Sequence, residues 1–201
     1  MPRPYKLGLR KASLGKSRAK IISAARDLLT SPSGFSEFTI DAVARQANVA
    51  RMTVYNQFES KLGLLEAIFD DIGMRGGICE LPNAFQRENA LDALAEFIRI
   101  FGRFWTSERR VIKRLRGLAA IDPEVEQAMN VRDGYRREGV RVMVMRLNSE
   151  LTGTPKDAVT ALTMLTSFET FDALAGPRRK PSSVVPQVYR LVCLALQLNV
   201  P

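Results

Sequence analysis

Apolar residues recur at helical spacing along almost the whole chain, and nowhere do they alternate for long enough to build a strand face. That pattern confines the molecule to an all-α architecture, because a period near 3.6 cannot present one consistent face from an extended chain. The Asn-Gly hairpin dipeptide is missing as well. Stop and start signals divide the pattern into about nine helices. The first is predicted over 17–30, with Ile21, Ala25, Leu28 and Leu29 on one face, and is closed by Pro32 and Gly34. The second opens at Thr39, a good N-cap followed by Asp41 in the first turn, and buries Ile40, Val43, Ala44 and Ala47. The third covers about 50–57 and the fourth about 60–73. Gly73, Gly76, Gly77 and Pro82 break the pattern over 73–87. Longer helices are then expected over 88–105, 108–120, 123–149, 156–175 and 183–199, separated by prolines and capping residues.

The break at Asn48-Val49 is the informative one. It separates two helical patterns by a short turn, and the second helix has barely two turns. Helix, short turn, short helix is the helix-turn-helix arrangement, in which the second helix enters the major groove of DNA. Val54 and Phe58 stand four residues apart and can bury together, leaving Arg51, Met52, Thr53, Tyr55 and Asn56 at or near the surface. Arg and Asn can grip guanine and adenine edges with two hydrogen bonds, and Met can touch a thymine methyl. A Tyr hydroxyl suits a phosphate. Ser60 caps the next helix and places Lys61 at its first position, where a cation opposes the helix dipole by about 0.3–1 kcal/mol. Such a misfit, beside free backbone N–H groups, points to an anionic partner and thus to a phosphate site.

Charge supports the same end of the chain. Lys and Arg number 30 against 21 Asp and Glu, and residues 1–60 alone hold ten basic and four acidic side chains. Arg3, Lys6, Arg10, Lys11, Lys16, Arg18 and Lys20 fall in the first twenty residues with no acid among them, as a segment facing a polyanion would. The chain has no His, which removes the commonest general base and metal ligand; no catalytic residue, metal site or cofactor is expected. Cys79 and Cys193 make neither a disulfide framework nor a zinc site. No run approaches the roughly 18 apolar residues of a membrane span, and no secretory leader is evident, so a soluble cytoplasmic protein is the expectation.

The run from Phe38 to Lys61 resembles the signature of the tetracycline-repressor (TetR/AcrR) family of bacterial transcription regulators. The matching features are Thr39-Ile40 opening the second helix, the turn before Val49, Thr53-x-Tyr55-x-x-Phe58 in the third, and Ser60-Lys61 opening the fourth. The resemblance implies a basic arm over 1–16, a DNA-binding domain over 17–62 and a ligand-binding and dimerisation domain over 63–201. It implies DNA contacts from Thr39, Ala50, Arg51, Met52, Thr53, Tyr55, Asn56, Lys61 and the segment up to Arg18, the partner being double-stranded operator DNA. Three departures stand out. Asn48 replaces a usual Gly, Ala50 forfeits a serine N-cap, and bulky Met52 stands where a small residue is common.

In the remaining 140 or so residues the resemblance implies an inducer pocket, and aromatic and Met side chains suit one: Phe97, Phe101, Trp105, Met129, Met143 and Phe168. It further implies a homodimer through the last two helices, whose candidates are Val159, Leu162, Leu165, Leu191, Val192, Ala195 and Leu196. Glu169 and Asp172 face water, pair elsewhere or select a polar ligand group; Arg178-Arg-Lys180 reads as solvated loop. The reading is a regulator that leaves its operator when a small, largely apolar effector binds. The rivals are a ligand-independent architectural protein and, remotely, an all-helical enzyme.

Overall fold

The computed structural model describes residues 4–31 and 38–198, with side-chain surroundings from residue 15 onward. The expected stop at 32–34, Arg3, the side chains of Lys6, Arg10 and Lys11, and the chain beyond 198 lie outside the described residues. Among the described residues there is no strand, and eleven α-helices replace the nine expected. They are α1 (Pro4–Thr30), α2 (Ile40–Gln46), α3 (Arg51–Phe58), α4 (Lys61–Arg75), α5 (Leu81–Phe85), α6 (Ala90–Ser107), α7 (Arg109–Ala119), α8 (Pro123–Arg146), α9 (Pro155–Leu165), α10 (Phe168–Ala175) and α11 (Val185–Leu196). Single 3-10 turns precede α5 and α11.

The differences have local causes. The first helix begins at Pro4 instead of near 17, since the Lys, Arg, Leu and Ala of that stretch are good helix formers and Pro is tolerated in a first turn. The glycine-marked break at 73–87 contains α5, with Pro82 in its first turn. The helix expected over 156–175 is two helices, because Ser167 leaves the helical conformation and its hydroxyl accepts from the Thr170 N–H at 3.2 Å. That new N-cap starts α10.

The chain divides into two compact units. The first comprises Met1–Asp71 and Arg110–Met129, and the second Ile72–Arg109 and Asn130–Pro201. In the first, α1, α2 and α3 pack together, and Ile21, Ala25, Leu29, Val43, Ala47, Val54 and Phe58 form the buried seam. Leu64, Leu65 and Ile68 of α4 and Leu115 of α7 are also fully buried. In the second unit α6 is central, packing against α5, α10 and α11. Gly102 allows that closeness: a Cβ there would stand 2.3 Å from Cγ2 of Val185.

Arginines finish the second unit by taking up carbonyls at helix ends. Arg109 donates to Asp172 at 2.6 Å and to the carbonyls of Gly176 and Arg179. Asp172 therefore pairs within the chain, while Glu169 is exposed. The three cations at 178–180 are exposed, as expected, although Arg179 also donates to the Leu174 carbonyl.

Tyr189 on α11 carries a measurable consequence. Burial, then its neighbour Cys193, pushes its phenol up to about 12. The folded value lies above the ordinary value near about 10, so the associated stability is complete below that pH and is lost as pH rises toward 12. Near-ultraviolet titration should find a tyrosine step that comes late. Tyr189→Phe should remove that last step and flatten the alkaline limb of the unfolding curve. The absence of a late step would contradict the burial.

Candidate nucleic-acid interface

The turn between α2 and α3 is built from backbone. Ala47 caps α2, Asn48 takes the left-handed conformation at φ 49°, and the chain then leaves extended. The Asn48 N–H donates to the Arg45 carbonyl and the Val49 N–H to Ala44, both at 3.0 Å. This pair of reverse bonds is the Schellman closure, and its left-handed position accepts Asn at lower cost than most side chains. The replacement of Gly by Asn48 therefore leaves the turn intact. Ala50 does serve as the N-cap of α3 and supplies no side-chain bond, so the usual contribution of about 1 kcal/mol is forgone.

On α3 only Val54 and Phe58 are buried. Arg51, Met52 and Asn56 are exposed, with Met52 at 64%, whereas Thr53 and Tyr55 are half-buried at the edges. Arg51 is not loose. It donates to Asp41 at 3.2 Å and to the Tyr55 hydroxyl at 3.3 Å, and its guanidinium lies 5.5 Å from the Tyr55 ring centre. Thr39 caps α2, accepting from the Ala42 N–H at 3.2 Å. Arg18 is committed elsewhere: it donates to the Gln57 carbonyl at 2.8 Å and stacks 4.4 Å over Phe58, fixing the end of α3 to α1.

The corner between α3 and α4 is tighter than the sequence suggests. Glu59 has φ 64° and ψ −42°, and the Ser60 N–H reaches back only two residues to the Phe58 carbonyl at 2.7 Å. This is a γ-turn with positive φ, a strained form. Ser60 then caps α4, its hydroxyl accepting from the Gly63 N–H at 3.0 Å. Gly63 sits against the same Phe58 carbonyl, where a Cβ would stand 2.1 Å from the oxygen. Gly63 is thus a close approach that only glycine permits.

Lys61 departs most from expectation. Its ammonium is paired within the chain, donating to Asp122 and lying 3.5 Å from Glu124. The Lys61 and Asp122 side chains are only 20% and 18% exposed, so water screens the pair weakly. Asp122 also caps α8, accepting through Oδ1 from the N–H groups of Glu124 at 3.1 Å and Val125 at 3.4 Å. Burial raises the Asp122 carboxyl, but Lys61 and those two N–H groups outweigh it and hold the group below the ordinary carboxylate range. The anion implied by the misplaced cation thus has an internal counterpart, 61 residues away in sequence.

A surface concavity of about 390 Å³ gathers these groups: Thr39, Arg51, Tyr55, Ser60 and Lys61 line it together with Asp41, Glu59 and Glu124. Among the described residues no cluster of three or more His, Cys, Asp or Glu side chains suits a metal, and no helix is long and apolar enough to cross a membrane.

In the second unit, four of the six pocket candidates form one stack. Phe97 meets Phe101 at 5.0 Å, Phe101 meets Trp105 at 5.8 Å and Trp105 meets Phe168 at 5.7 Å between ring centres. Phe85 and Phe104 extend it, and neither is among the pocket candidates. Trp105 donates its indole N–H to the Thr166 carbonyl at 3.1 Å. Met143 is buried in the same unit, but Met129 is buried in the first. Of the interface candidates, Leu162, Val192 and Leu196 are buried within the single chain, so those three belong to its core. Val159, Leu165 and Leu191 are half-buried and Ala195 is exposed. Met164 on α9 and Leu194 on α11, which the apolar pattern did not distinguish, are 65% and 69% exposed.

A short exposed helix held by a Schellman turn across a buried one makes this a helix-turn-helix protein. Residues 21–68 match the model for bacterial regulatory proteins of the tetR family. Its fold is similar to that of NalD, the secondary repressor of the MexAB-OprM multidrug efflux pump in Pseudomonas aeruginosa, at 18% identity over 90% of this chain and 96% of that one, with a TM-score of 0.70. FadR from Bacillus subtilis, solved in complex with stearoyl-CoA, is similar at 17% identity over 87% and 96%, TM-score 0.69. A transcriptional regulator from Rhodococcus sp. Rha1 is similar at 16% identity over 92% and 99%, TM-score 0.65. At such identities the likeness establishes the fold. No curated protein sequence matches the chain.

Proposed function

We propose that the protein is a dimeric transcriptional repressor that binds a palindromic operator and leaves it when a small, largely apolar molecule enters the second unit. The observation that carries the DNA-binding part is α3 itself: eight residues, two of them buried, projecting Arg51, Met52 and Asn56 from a turn that the tetR-family match covers. Arg51, Met52 and Asn56 read base edges, while Thr39, Ala50, Thr53, Tyr55 and Lys61 address the backbone. Arg18 acts by holding α3. In this reading residues 1–16 are a basic arm, 17–62 the DNA-binding domain and 63–201 the sensing and pairing domain.

The ligand reading rests on the aromatic stack and on the likeness to FadR, whose solved form holds stearoyl-CoA. An effector would part the rings at Phe97, Phe101 and Trp105, and must prefer a form of the dimer whose two recognition helices are wrongly spaced for half-sites about 34–36 Å apart. Val159, Leu165, Leu191 and Ala195, with Met164 and Leu194, supply the apolar surface for pairing.

Selection of duplex fragments from a random pool tests the function. A palindrome should emerge, with Met52→Ala and Asn56→Ala changing its preferred bases. Lys61→Ala should weaken all sequences alike, as the loss of a phosphate contact does. Failure to enrich any sequence above bulk DNA would overturn the reading.

A further inference from the structure

The concavity that would receive a DNA phosphate carries more acid than base: Arg51 and Lys61 face Asp41, Glu59 and Glu124. Each cation already has a carboxylate partner, Arg51 at Asp41 and Lys61 at Asp122 and Glu124. The Arg51 pair is more than half exposed and can open into water, but the Lys61 pair is largely sheltered. Lys61 also stands at the first position of α4 and Asp122 at the start of α8, so the carboxylate offsets positive ends of two helices at once.

We propose that Asp122, aided by Glu124, is an internal substitute for the DNA phosphate, so that Lys61 reaches DNA only by exchanging one anion for the other. The proposal rests on the reading of Lys61 as a phosphate contact and adds a competitor to it. Engagement then leaves Asp122 with its cap to α8 but without its cation, and a solution cation must take that place. The counterion released from DNA by Lys61 is thereby offset by one taken up at Asp122, and the salt dependence is shallower than the number of phosphate contacts requires. Whatever holds the start of α8 against the start of α4 also weakens DNA binding.

Asp122→Asn is the suitable variant. An Asn retains Oδ1 for the N–H groups of Glu124 and Val125 and caps a helix as well as Asp, but it presents an N–H donor toward Lys61. Duplex binding of the intact protein should be measured against salt for wild type, Asp122→Asn with Glu124→Gln, Lys61→Ala, and the combination, with thermal unfolding of each as the control for folding. The carboxylate variant should bind about two- to tenfold more tightly at low salt, a range set by the modest worth of such pairs. Its salt slope should steepen by up to about one unit. Both gains should vanish when Lys61→Ala is added. Gains that persist without Lys61 would show a general loss of negative field and overturn the proposal. Unchanged affinity and slope in the folded carboxylate variant, with Lys61→Ala still weakening binding, would also overturn it while leaving the phosphate contact standing. If Lys61→Ala has no effect in either background, the phosphate contact itself fails.

Discussion

Gly63→Ala is expected to destabilise the DNA-binding unit by about 1–3 kcal/mol or more, the range for forcing atoms into filled space, and to weaken binding to every operator variant together. The reason is the carbonyl of Phe58. It accepts from Ser60 across a strained γ-turn and lies where the alanine methyl would have to go, 2.1 Å from an ideal Cβ. The obstacle is backbone, so no side-chain rotation relieves it. Either α4 shifts its first turn, losing the Ser60 cap, or α3 moves with Phe58. Denaturant unfolding followed by circular dichroism, with duplex titration, reads both effects. Wild-type stability in Gly63→Ala would show that the corner is looser than described. Gly73→Ala, also on α4 and with open space at its Cβ, is the matched control.

Phe97→Ala is expected to cost about 3–5 kcal/mol, as large aromatic truncations in a packed interior do. Phe97 is fully buried and touches rings on two sides, Phe85 at 6.0 Å and Phe101 at 5.0 Å. The resulting hole is apolar, so benzene should bind the variant and restore part of the lost melting temperature, as it does in other dry engineered cavities. Trp105, the one Trp of the chain, lies 5.8 Å from Phe101 and would report the occupancy by fluorescence. A loss under about 1 kcal/mol would mean that the stack is already partly open.

Much of the DNA-binding end could be read without coordinates. Val54 and Phe58 were identifiable as the buried pair by their spacing, and Asn48 as the turn residue by its tolerance of positive φ; both are local properties of a few adjacent residues. Lys61 was recognisable as a misplaced charge. Its partner was not, because Asp122 is brought to it by tertiary folding and leaves no mark near residue 61. The same limit hid the tight corner: Gly63 looks like a weak helix position until the Phe58 carbonyl is placed beside it. In the body, periodicity separates apolar from polar faces but not the core from an exposed apolar strip. Leu162 and Val192 were therefore grouped with Leu191, although the first two are fully buried. Ser167 is a readable signal, since a serine three residues before Thr170 can cap a new helix and divide a long one.

The way α3 is mounted has one more consequence. Its direction is set by backbone at both ends, through Asn48 before it and Glu59 and Gly63 after it, and its anchoring side chains are Val54 and Phe58. Met52 and Asn56 are exposed, and Arg51 adds to that mounting only a pair with Asp41 that is more than half exposed. A helix held this way can exchange its outward residues one at a time while the domain continues to fold, so under the proposed function a descendant could change the DNA sequence it prefers by point substitutions alone.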